Sequence, residues 1–490
     1  MERQSIFTLP LLLILILVLK ACGTSSDTIT VVPDAPRAVT AEEIEEIDEE
    51  FIQLNIGIID PVTNFDPLFA DNLSTKRVLS LIYDGLFDLD NQGEPIPAIA
   101  ADVEISDNGL EYLITINRDL FFHESPIFTA GLGRRIHARD IKLAFERTAR
   151  EGIPPAAASL LMNIRGFENF YLEQRYVYDS ETRVLDGVRG IQVISPETLY
   201  IELNERDDQF LHKLASPLLS IYPSEALRQG GDGLRNRAIG TGQYILDRVE
   251  NNGRIVLTRD NRDFRSDQND IPDINRIDFL YHSSESDLFQ AFARNELDLI
   301  PELGPEITLQ VLTEDSELVP SYENQYGFVR HPASRLTSFH VYNNSVVRSE
   351  WLLSRLSLIT QEDIRTFGQL DLLNNRFNYV EDARPLDEYY VAFSDNPFAR
   401  VVLTELHNLV FLPESSLVFF DIRIPTRRTS LYTNVSDSFH NQYNPLESNY
   451  WLLLETEIVS LHQRHISGIV PSATPWSLKP AEIQVSVSER

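Results

Sequence analysis

The segment Arg276-Ile277-Asp278-Phe279-Leu280-Tyr281 decides the fold class of this chain, together with the two segments that follow it. Ser286 to Arg294 comes next, and Leu297-Asp298-Leu299-Ile300 closes the series. The first and third segments are short apolar runs typical of buried strands, and the middle segment predicts a helix. A strand, a helix and a strand in succession indicate an α/β architecture.

Upstream segments extend the same alternation of strands and helices. Phe51 to Ile58 alternates between apolar and polar residues as a half-buried strand does. Two apolar runs flank Asn108-Gly109, which is a strong hairpin signal. The stretch Asp71 to Leu86 predicts a loop that leads into a helix, with Ser74 or Thr75 as the N-cap. A second helix is predicted from Ala138 to Arg147. The order of the elements fits an α/β protein with more than one lobe.

Length and charge limit what the chain can do. A chain of 490 residues is expected to hold roughly three domains. Its 42 basic and 74 acidic residues leave a net charge of −32. Nucleic acid is excluded as a partner because phosphates would be repelled. One cysteine in the whole sequence excludes an internal disulfide.

That cysteine follows an apolar run near the N-terminus. Ile6 to Leu19 is almost wholly apolar, and Leu19-Lys20-Ala21-Cys22 closes it. The pattern resembles a bacterial lipoprotein signal, in which the peptide is cut before the cysteine and the thiol carries a lipid. The resemblance implies a signal peptide over 1–21, lipid attachment at Cys22 and a location outside the cytoplasm, in the periplasmic space or at the cell surface. The alternative is an uncleaved anchor with an unrelated buried thiol.

Residues 22–50 are predicted to form a flexible acidic tether. The segment opens with Gly-Thr-Ser-Ser and ends in the acidic run Glu42 to Glu50, a composition that does not fold alone. A short acidic helix is the alternative, because Ile44 and Ile47 are three residues apart.

Five short motifs occur in a fixed order over roughly residues 52 to 300. None of them is specific alone. They are Phe65-Asp66-Pro67 with Ile82-Tyr83-Asp84-Gly85-Leu86; Pro97-Ala98-Ile99-Ala100 with Ser106 to Tyr112; Phe121-Phe122-His123 with Asp140 to Arg147; Gly240-Thr241-Gly242-Gln243-Tyr244; and Pro272 to Phe279 with Asn295-Glu296-Leu297-Asp298.

Together the motifs resemble the extracellular solute-binding proteins that serve peptide, nickel and opine ABC importers (family 5). The resemblance implies an α/β, two-lobed clamp like that of periplasmic binding proteins (type II, class C), with an extra subdomain inserted in the first lobe. It implies a first lobe of residues 51–88, 190–275 and 466–490. The inserted subdomain would cover 89–189, and the second lobe 276–465.

The implied function is binding of peptides or peptide-like solutes in the cleft between the lobes. A lipid-anchored monomer would deliver the solute to two membrane permease subunits powered by ATPases, without a cofactor. The alternative is a degenerate clamp that acts as a sensor or as a partner-binding surface protein, because the region after about residue 345 looks shortened.

The resemblance also implies ligand contacts. The loop Asp71-Asn72-Leu73 has the spacing at which family members touch peptide backbone, although a capped turn is the alternative. Tyr83 is a further candidate, with a place in the core as its alternative. Tyr342 and Asn343 would line the second lobe. Gln442 and Tyr443 match the place of an acid and an aromatic that capture the peptide amino group. Loss of that acid would instead favour a neutral ligand, or a cation held by other acids.

No motif predicts an enzyme or a metal site. The sequence lacks a Gly-x-Ser-x-Gly elbow, a His-Glu-x-x-His pair and a phosphate-binding loop. His462 and His465 have no neighbouring cluster of ligands. Arg423, Arg427 and Arg428 either bind a carboxylate or phosphate or pair with surface acids.

Overall fold

The computed structural model describes residues 51–177, 179–227, 233–262, 272–313, 317–342, 370–375, 388–393, 416–421, 430–437 and 451–486. The predicted signal peptide, Cys22 and the predicted tether therefore lie outside the described residues. The α-helices in the described part are α1 (Leu73–Ile82), α2 (Ala138–Arg147), α3 (Pro155–Ser159), α4 (Phe167–Tyr176), α5 (Phe210–Leu214), α6 (Glu285–Ala293) and α7 (Pro305–Val311).

The strands of the described part form one large sheet and three small ones. They are β1 (Gln53–Ile58), β2 (Phe87–Leu89), β3 (Pro95–Pro97), β4 (Ala100–Ile105), β5 (Glu111–Ile116), β6 (Ile191–Ser195), β7 (Thr198–Glu202), β8 (Tyr244–Val249), β9 (Ile255–Arg259), β10 (Arg276–Tyr281), β11 (Leu299–Ile300), β12 (Tyr326–Tyr342), β13 (Leu370–Asn375), β14 (Glu388–Phe393), β15 (Ser416–Asp421), β16 (Ser430–Asp437), β17 (Trp451–Gln463), β18 (Ile466–Ser467) and β19 (Gln484–Val485).

The predicted strand–helix–strand unit is present at the centre of the large sheet. β10 and β11 lie on either side of β1, and both run parallel to it. Helix α6 makes the connection between them, and Ser284 caps its start by accepting a hydrogen bond from the Asp287 amide. A Cβ on Gly57 of β1 would come within 2.4 Å of the Leu288 side chain, so the glycine lets α6 lie close to the strand. The α/β prediction is thus confirmed at this unit.

A four-stranded antiparallel sheet forms beside the large one, in the order β4-β5-β7-β6. Its first two strands make the predicted hairpin. Gly109 adopts a φ of +70° in the turn, and its amide donates to the Ser106 carbonyl oxygen. The sheet spans the predicted inserted subdomain and continues a little beyond residue 189.

The sequence-based lobe boundaries remain predictions, and one strand bears on them. β10 begins the predicted second lobe at residue 276, yet it pairs with β1 and β9 of the predicted first lobe. This pairing favours a boundary later in the chain, at the two long strands β12 and β17.

β12 and β17 run antiparallel along most of their length and are neighbours within the large sheet. Near one end β17 pairs with β11, and farther along β12 pairs with β16 and β17 with β13. The register between them shifts once, between His331 and Ser334. We call these two strands the crossing strands, because within the large sheet they lie between the part that holds β11, β1 and β10 and the part that holds β16, β14 and β15.

Two of the sequence motifs meet at the C-terminal end of α1. A Cβ on Gly240 would lie 2.0 Å from the Ile82 carbonyl oxygen, and one on Gly242 would lie 2.4 Å from the Leu81 carbonyl oxygen. His123 joins the same junction, because its Nε2 lies 2.8 Å from the Gly242 carbonyl oxygen. These motif residues build the fold, in agreement with the structural interpretation of their glycines.

A buried ion pair between Asp66 and Arg147 fastens the segment that follows β1 to α2. Arg147 Nη1 donates to Asp66 Oδ1 at 2.8 Å and to the Tyr222 hydroxyl at 3.1 Å. The Arg147 guanidinium also lies 5.3 Å from the centre of the Tyr222 ring. Asp66 caps a short 3₁₀ helix by accepting a hydrogen bond from the Leu68 amide.

Among the described residues, no helix is long and apolar enough to cross a membrane.

Candidate functional site

The first three predicted ligand contacts lie at the start of α1. Asn72 is the N-cap, and its Oδ1 accepts a hydrogen bond from the Thr75 amide at 2.7 Å. The prediction of Ser74 or Thr75 as the cap is therefore wrong, because the helix begins at Leu73, two or three residues earlier than those caps imply. Asp71 is exposed, and its carboxylate accepts from the Asn72 side chain at 3.1 Å. The helix start thus presents a carboxylate to solvent.

Leu73 joins the helix start to the crossing strands. It is buried in a small apolar cluster with Ile458 of β17 and Trp476 of the C-terminal loop. The Lys76 ammonium lies 5.7 Å from the Trp476 ring, within the range of a cation–π contact. Asp71 and Asn72 therefore directly precede a residue that packs on Ile458 of β17.

Arg77 lies one turn farther along the same face of α1. It is 1% exposed, and its Nη2 donates to the Pro475 carbonyl oxygen at 2.9 Å. The same nitrogen lies 3.5 Å from the carboxylate of Glu302, which is also buried. A buried guanidinium needs such partners, since an isolated charge in the interior is costly. Arg77 thereby ties α1 to the C-terminal loop.

A cavity of about 30 Å³ opens beside Arg77. Its polar lining includes His331, Ser460, Ser472 and Asn91. The Asn91 side-chain oxygen is buried there and finds no hydrogen-bond partner within the described part of the chain. The cavity is large enough for water, which satisfies such groups in protein interiors.

His331 connects three segments at the register shift of the crossing strands. Its Nε2 lies 3.1 Å from Ser460 Oγ on β17. Its Nδ1 accepts a hydrogen bond from the Ser472 amide at 3.2 Å. Burial and the nearby Arg77 guanidinium lower the pKa of His331 to about 4, so the ring is neutral at pH 7.

Tyr83 lies in the core at the other end of α1. It is 2% exposed, and its hydroxyl donates to the Phe65 carbonyl oxygen at 3.1 Å and accepts from the Ile239 amide at 3.3 Å. Burial, with a smaller effect from Asp66, raises the pKa of the hydroxyl. These bonds favour a structural role for Tyr83 over contact with a solute.

Of the other predicted ligand contacts, Tyr342 alone lies within the described residues. Tyr342 is the last residue of β12 and pairs with Ser430 of β16. Asn343, Gln442 and Tyr443 lie outside the described residues, and so do Arg423, Arg427 and Arg428. Whether these residues join Asp71 and Asn72 at one site remains a prediction.

The two histidines near the end of β17 have different environments. His465 Nε2 lies 2.8 Å from Asp298 Oδ1, and the same aspartate accepts a hydrogen bond from the Asn55 amide. His462 packs over Gly327 of β12, and burial lowers its pKa. Among the residues that the structure describes, no group of three or more His, Cys, Asp or Glu side chains could hold a metal ion.

Sequence reasoning missed Arg77, His331 and Ser460. Arg77 does leave a signal, because it stands on the helical stripe Leu73, Arg77, Leu81, whose other members are apolar. An arginine on such a stripe must be buried with a partner. His331 and Ser460 are 129 residues apart and leave no local signal.

Comparison with known proteins extends these observations. Residues 94–348, just over half of the chain, match the family model described as "Bacterial extracellular solute-binding proteins, family 5 Middle". The chain is 27% identical over 210 residues to the peptide transport periplasmic protein SapA of Haemophilus influenzae. It is 23% identical over 230 residues to di/tripeptide-binding protein 1 of Pseudomonas aeruginosa. The matches cover 40% and 46% of this chain, and 37% and 39% of those relatives.

Solved structures share the fold over a longer span. The Escherichia coli murein tripeptide binding protein MppA superposes with a TM-score of 0.68 at 11% identity, covering 89% of this chain and 99% of that one. Listeria monocytogenes OppA, bound to peptide, also gives 0.68, at 12% identity and with the same coverage. At such identities the likeness establishes the fold alone. The fold is therefore a mixed α/β, two-lobed clamp, as the sequence predicts.

Proposed function

This chain belongs to family 5 of the bacterial extracellular solute-binding proteins, and on that premise we propose that it binds peptides or peptide-like solutes for an ABC importer. The observation that carries the proposal is the packing of Leu73 against Ile458 and Trp476. Because Leu73 packs on Ile458 of β17, the exposed Asp71 carboxylate two residues earlier lies near that crossing strand, and a solute bound there would, on this proposal, contact both lobes. A solute that contacts both lobes favours the closed clamp, because it binds that state better.

Asp71 is the residue proposed to receive the peptide's amino group. An ammonium taken out of water needs an anionic or strongly polar partner. Asp71 is exposed and sits next to Asn72, whose amide already orients its carboxylate. Gln442, proposed to stand where other members carry an acid, cannot supply that charge. In the proposed site the negative charge that binds the amino group is therefore supplied by Asp71, at the start of α1, and not by residue 442.

The remaining steps of the proposal concern transport. The closed clamp would deliver its solute to two permease subunits driven by ATPases, without a catalytic step of its own. Cys22 would carry the lipid that holds the monomer outside the cytoplasmic membrane. Mass spectrometry of the mature N-terminal peptide tests this last point, and an unmodified Cys22 contradicts it.

Binding is tested by thermal melting and calorimetry of the purified protein, first freed of solute. Di- to pentapeptides are compared with the same peptides acetylated at the N-terminus, with oligosaccharides and with nickel. A solute that binds only the folded state raises the melting temperature, by an amount worth about 2.7 kcal/mol at 100 times its Kd. We expect the free peptides to do so, and the acetylated ones to act more weakly.

Asp71→Asn keeps the shape of the side chain and removes its charge. We expect it to weaken binding of free peptides about tenfold, or about 1.4 kcal/mol, and to leave acetylated peptides unaffected. Asp107→Asn, in the exposed turn of the β4–β5 hairpin, is the matched control and should change neither. If no solute class raises the melting temperature of the folded protein, import of these solutes is ruled out and the sensor or partner-binding function takes its place.

A further inference from the structure

His331 occupies an unusual place in the crossing strands. It is the last residue of β12 in register with β17 before the pairing shifts, and its partner there is Ile458. Pro332 follows it and has no amide hydrogen to give to the ladder. The two strands are therefore least firmly held to each other by their backbones at this point. A movement of one lobe against the other concentrates where backbone pairing is interrupted.

The side chain of His331 supplies bonds at the place where the backbone does not. Nδ1 accepts from the Ser472 amide, so the ring hydrogen of the neutral imidazole sits on Nε2. Nε2 then donates to Ser460 Oγ on β17. One side chain on β12 thus bonds to the second crossing strand and to the C-terminal loop. Ser460 and Ser472 are themselves buried, at 1% and 3% exposure.

The surroundings of the ring give it room to change partners. The 30 Å³ cavity is lined by His331, by both serines and by Arg77. Arg77 is fixed to the Pro475 carbonyl oxygen in the same loop, so the loop cannot follow the ring freely. Because its neighbours are fixed, the ring either keeps these two bonds or loses them, and a two-state hinge requires such discrete arrangements.

We infer that His331 is a positioning residue of clamp closure: its bonds to Ser460 and Ser472 hold the interrupted pairing of the crossing strands and so set the balance between the open and closed clamp without solute. The inference rests on the proposed function, because it names the device that regulates the same cleft. It concerns the free protein, so its test does not need the solute to be known.

Three substitutions separate the two bonds. His331→Asn keeps an acceptor near the position of Nδ1 and removes the bond to Ser460. His331→Gln reaches towards Ser460 and removes the acceptor for the Ser472 amide. Ser460→Ala removes the partner on β17 alone. Ser216→Ala is the control, because Ser216 is equally buried but caps a short helix away from the crossing strands.

Hydrogen exchange and small-angle X-ray scattering are measured on the full protein without solute. We expect His331→Asn and Ser460→Ala to speed exchange five- to tenfold in the amides of 326–336 and 456–463, and to change the radius of gyration. The four-stranded sheet should exchange as in the parent protein. The double variant His331→Asn/Ser460→Ala should exchange no faster than either single variant, because both substitutions remove the same bond between His331 and Ser460.

A structural role alone would produce a different pattern. Faster exchange throughout the molecule, with a lower melting temperature and an unchanged radius of gyration, would overturn the inference. Additive effects in the double variant would also overturn it. If peptides bind, their Kd should shift by the factor by which the closed population changes, and an unchanged Kd contradicts the inference. Failure of every peptide to bind would reject the proposed function while the exchange results still decide the hinge.

Discussion

At the scale of single residues, arginines hold several buried carboxylates of the described chain. Asp66 is bound by Arg147, and Asp140 by both terminal nitrogens of Arg134 at 2.8 Å. Asp278 is wholly buried and receives a bond of 2.7 Å from Arg276 Nε. Removing one member of such a pair leaves a charge in the interior without a partner, which costs far more than the pair contributes. These pairs specify which segments meet.

Asp66→Ala should therefore destabilise the protein by about 3 kcal/mol. The Arg147 guanidinium would lose its partner while remaining buried against Tyr222. Asp208→Ala is the control, because Asp208 and Arg206 form a pair that is 76% and 66% exposed. An exposed pair contributes less than about 1 kcal/mol. Urea denaturation of both variants measures the two costs, and equal costs would contradict the argument.

At the scale of elements, helix α1 joins distant segments of the chain through both of its ends. Its start carries Asp71 and Asn72 and packs on the crossing strands through Leu73. Its end lies against Gly240 and Gly242, where only a residue without a side chain fits. The position of the proposed site therefore depends on a junction at the far end of the same helix.

Gly240→Ala should destabilise the protein by about 3 kcal/mol, because the new methyl group meets the Ile82 backbone at 2.0 Å. Gly57→Ala is the matched control. The nearest atoms to its Cβ would belong to the Leu288 and Leu297 side chains, at 2.4 Å and 2.6 Å, and side-chain ends shift at a lower cost than backbone does. We expect a cost of about 1 kcal/mol there. Thermal melting that ranks the two variants in the reverse order would refute the explanation.

At the scale of the whole molecule, the net charge of −32 acts on stability. Like charges on one folded chain repel each other and disfavour its compact state. Salt screens that repulsion, with a Debye length of about 10 Å at 0.1 M. Raising sodium chloride from 0.01 to about 0.5 M should therefore raise the melting temperature by several degrees. A fall over this range would show that attraction between oppositely charged surface groups, and not their net repulsion, dominates the response to salt.

Much of this architecture could be predicted from local sequence. The β10–α6–β11 unit, the hairpin at Asn108-Gly109 and helix Ala138–Arg147 were all expected, because their periodicity and turn residues act over a few positions. The start of α1 was missed by two or three residues, since Asn72, Ser74 and Thr75 are all good caps. Boundaries of this kind are decided by which side chain finds a free amide.

The family and the α/β class follow from the sequence by itself, since both depend on short motifs in a fixed order. Only the tertiary structure decided that Tyr83 is buried, that Arg77 and Glu302 meet, and that His331 bonds to Ser460 across 129 positions. Contacts between segments so far apart are selected by the packing of the whole lobe. No local pattern of apolar and polar residues encodes them.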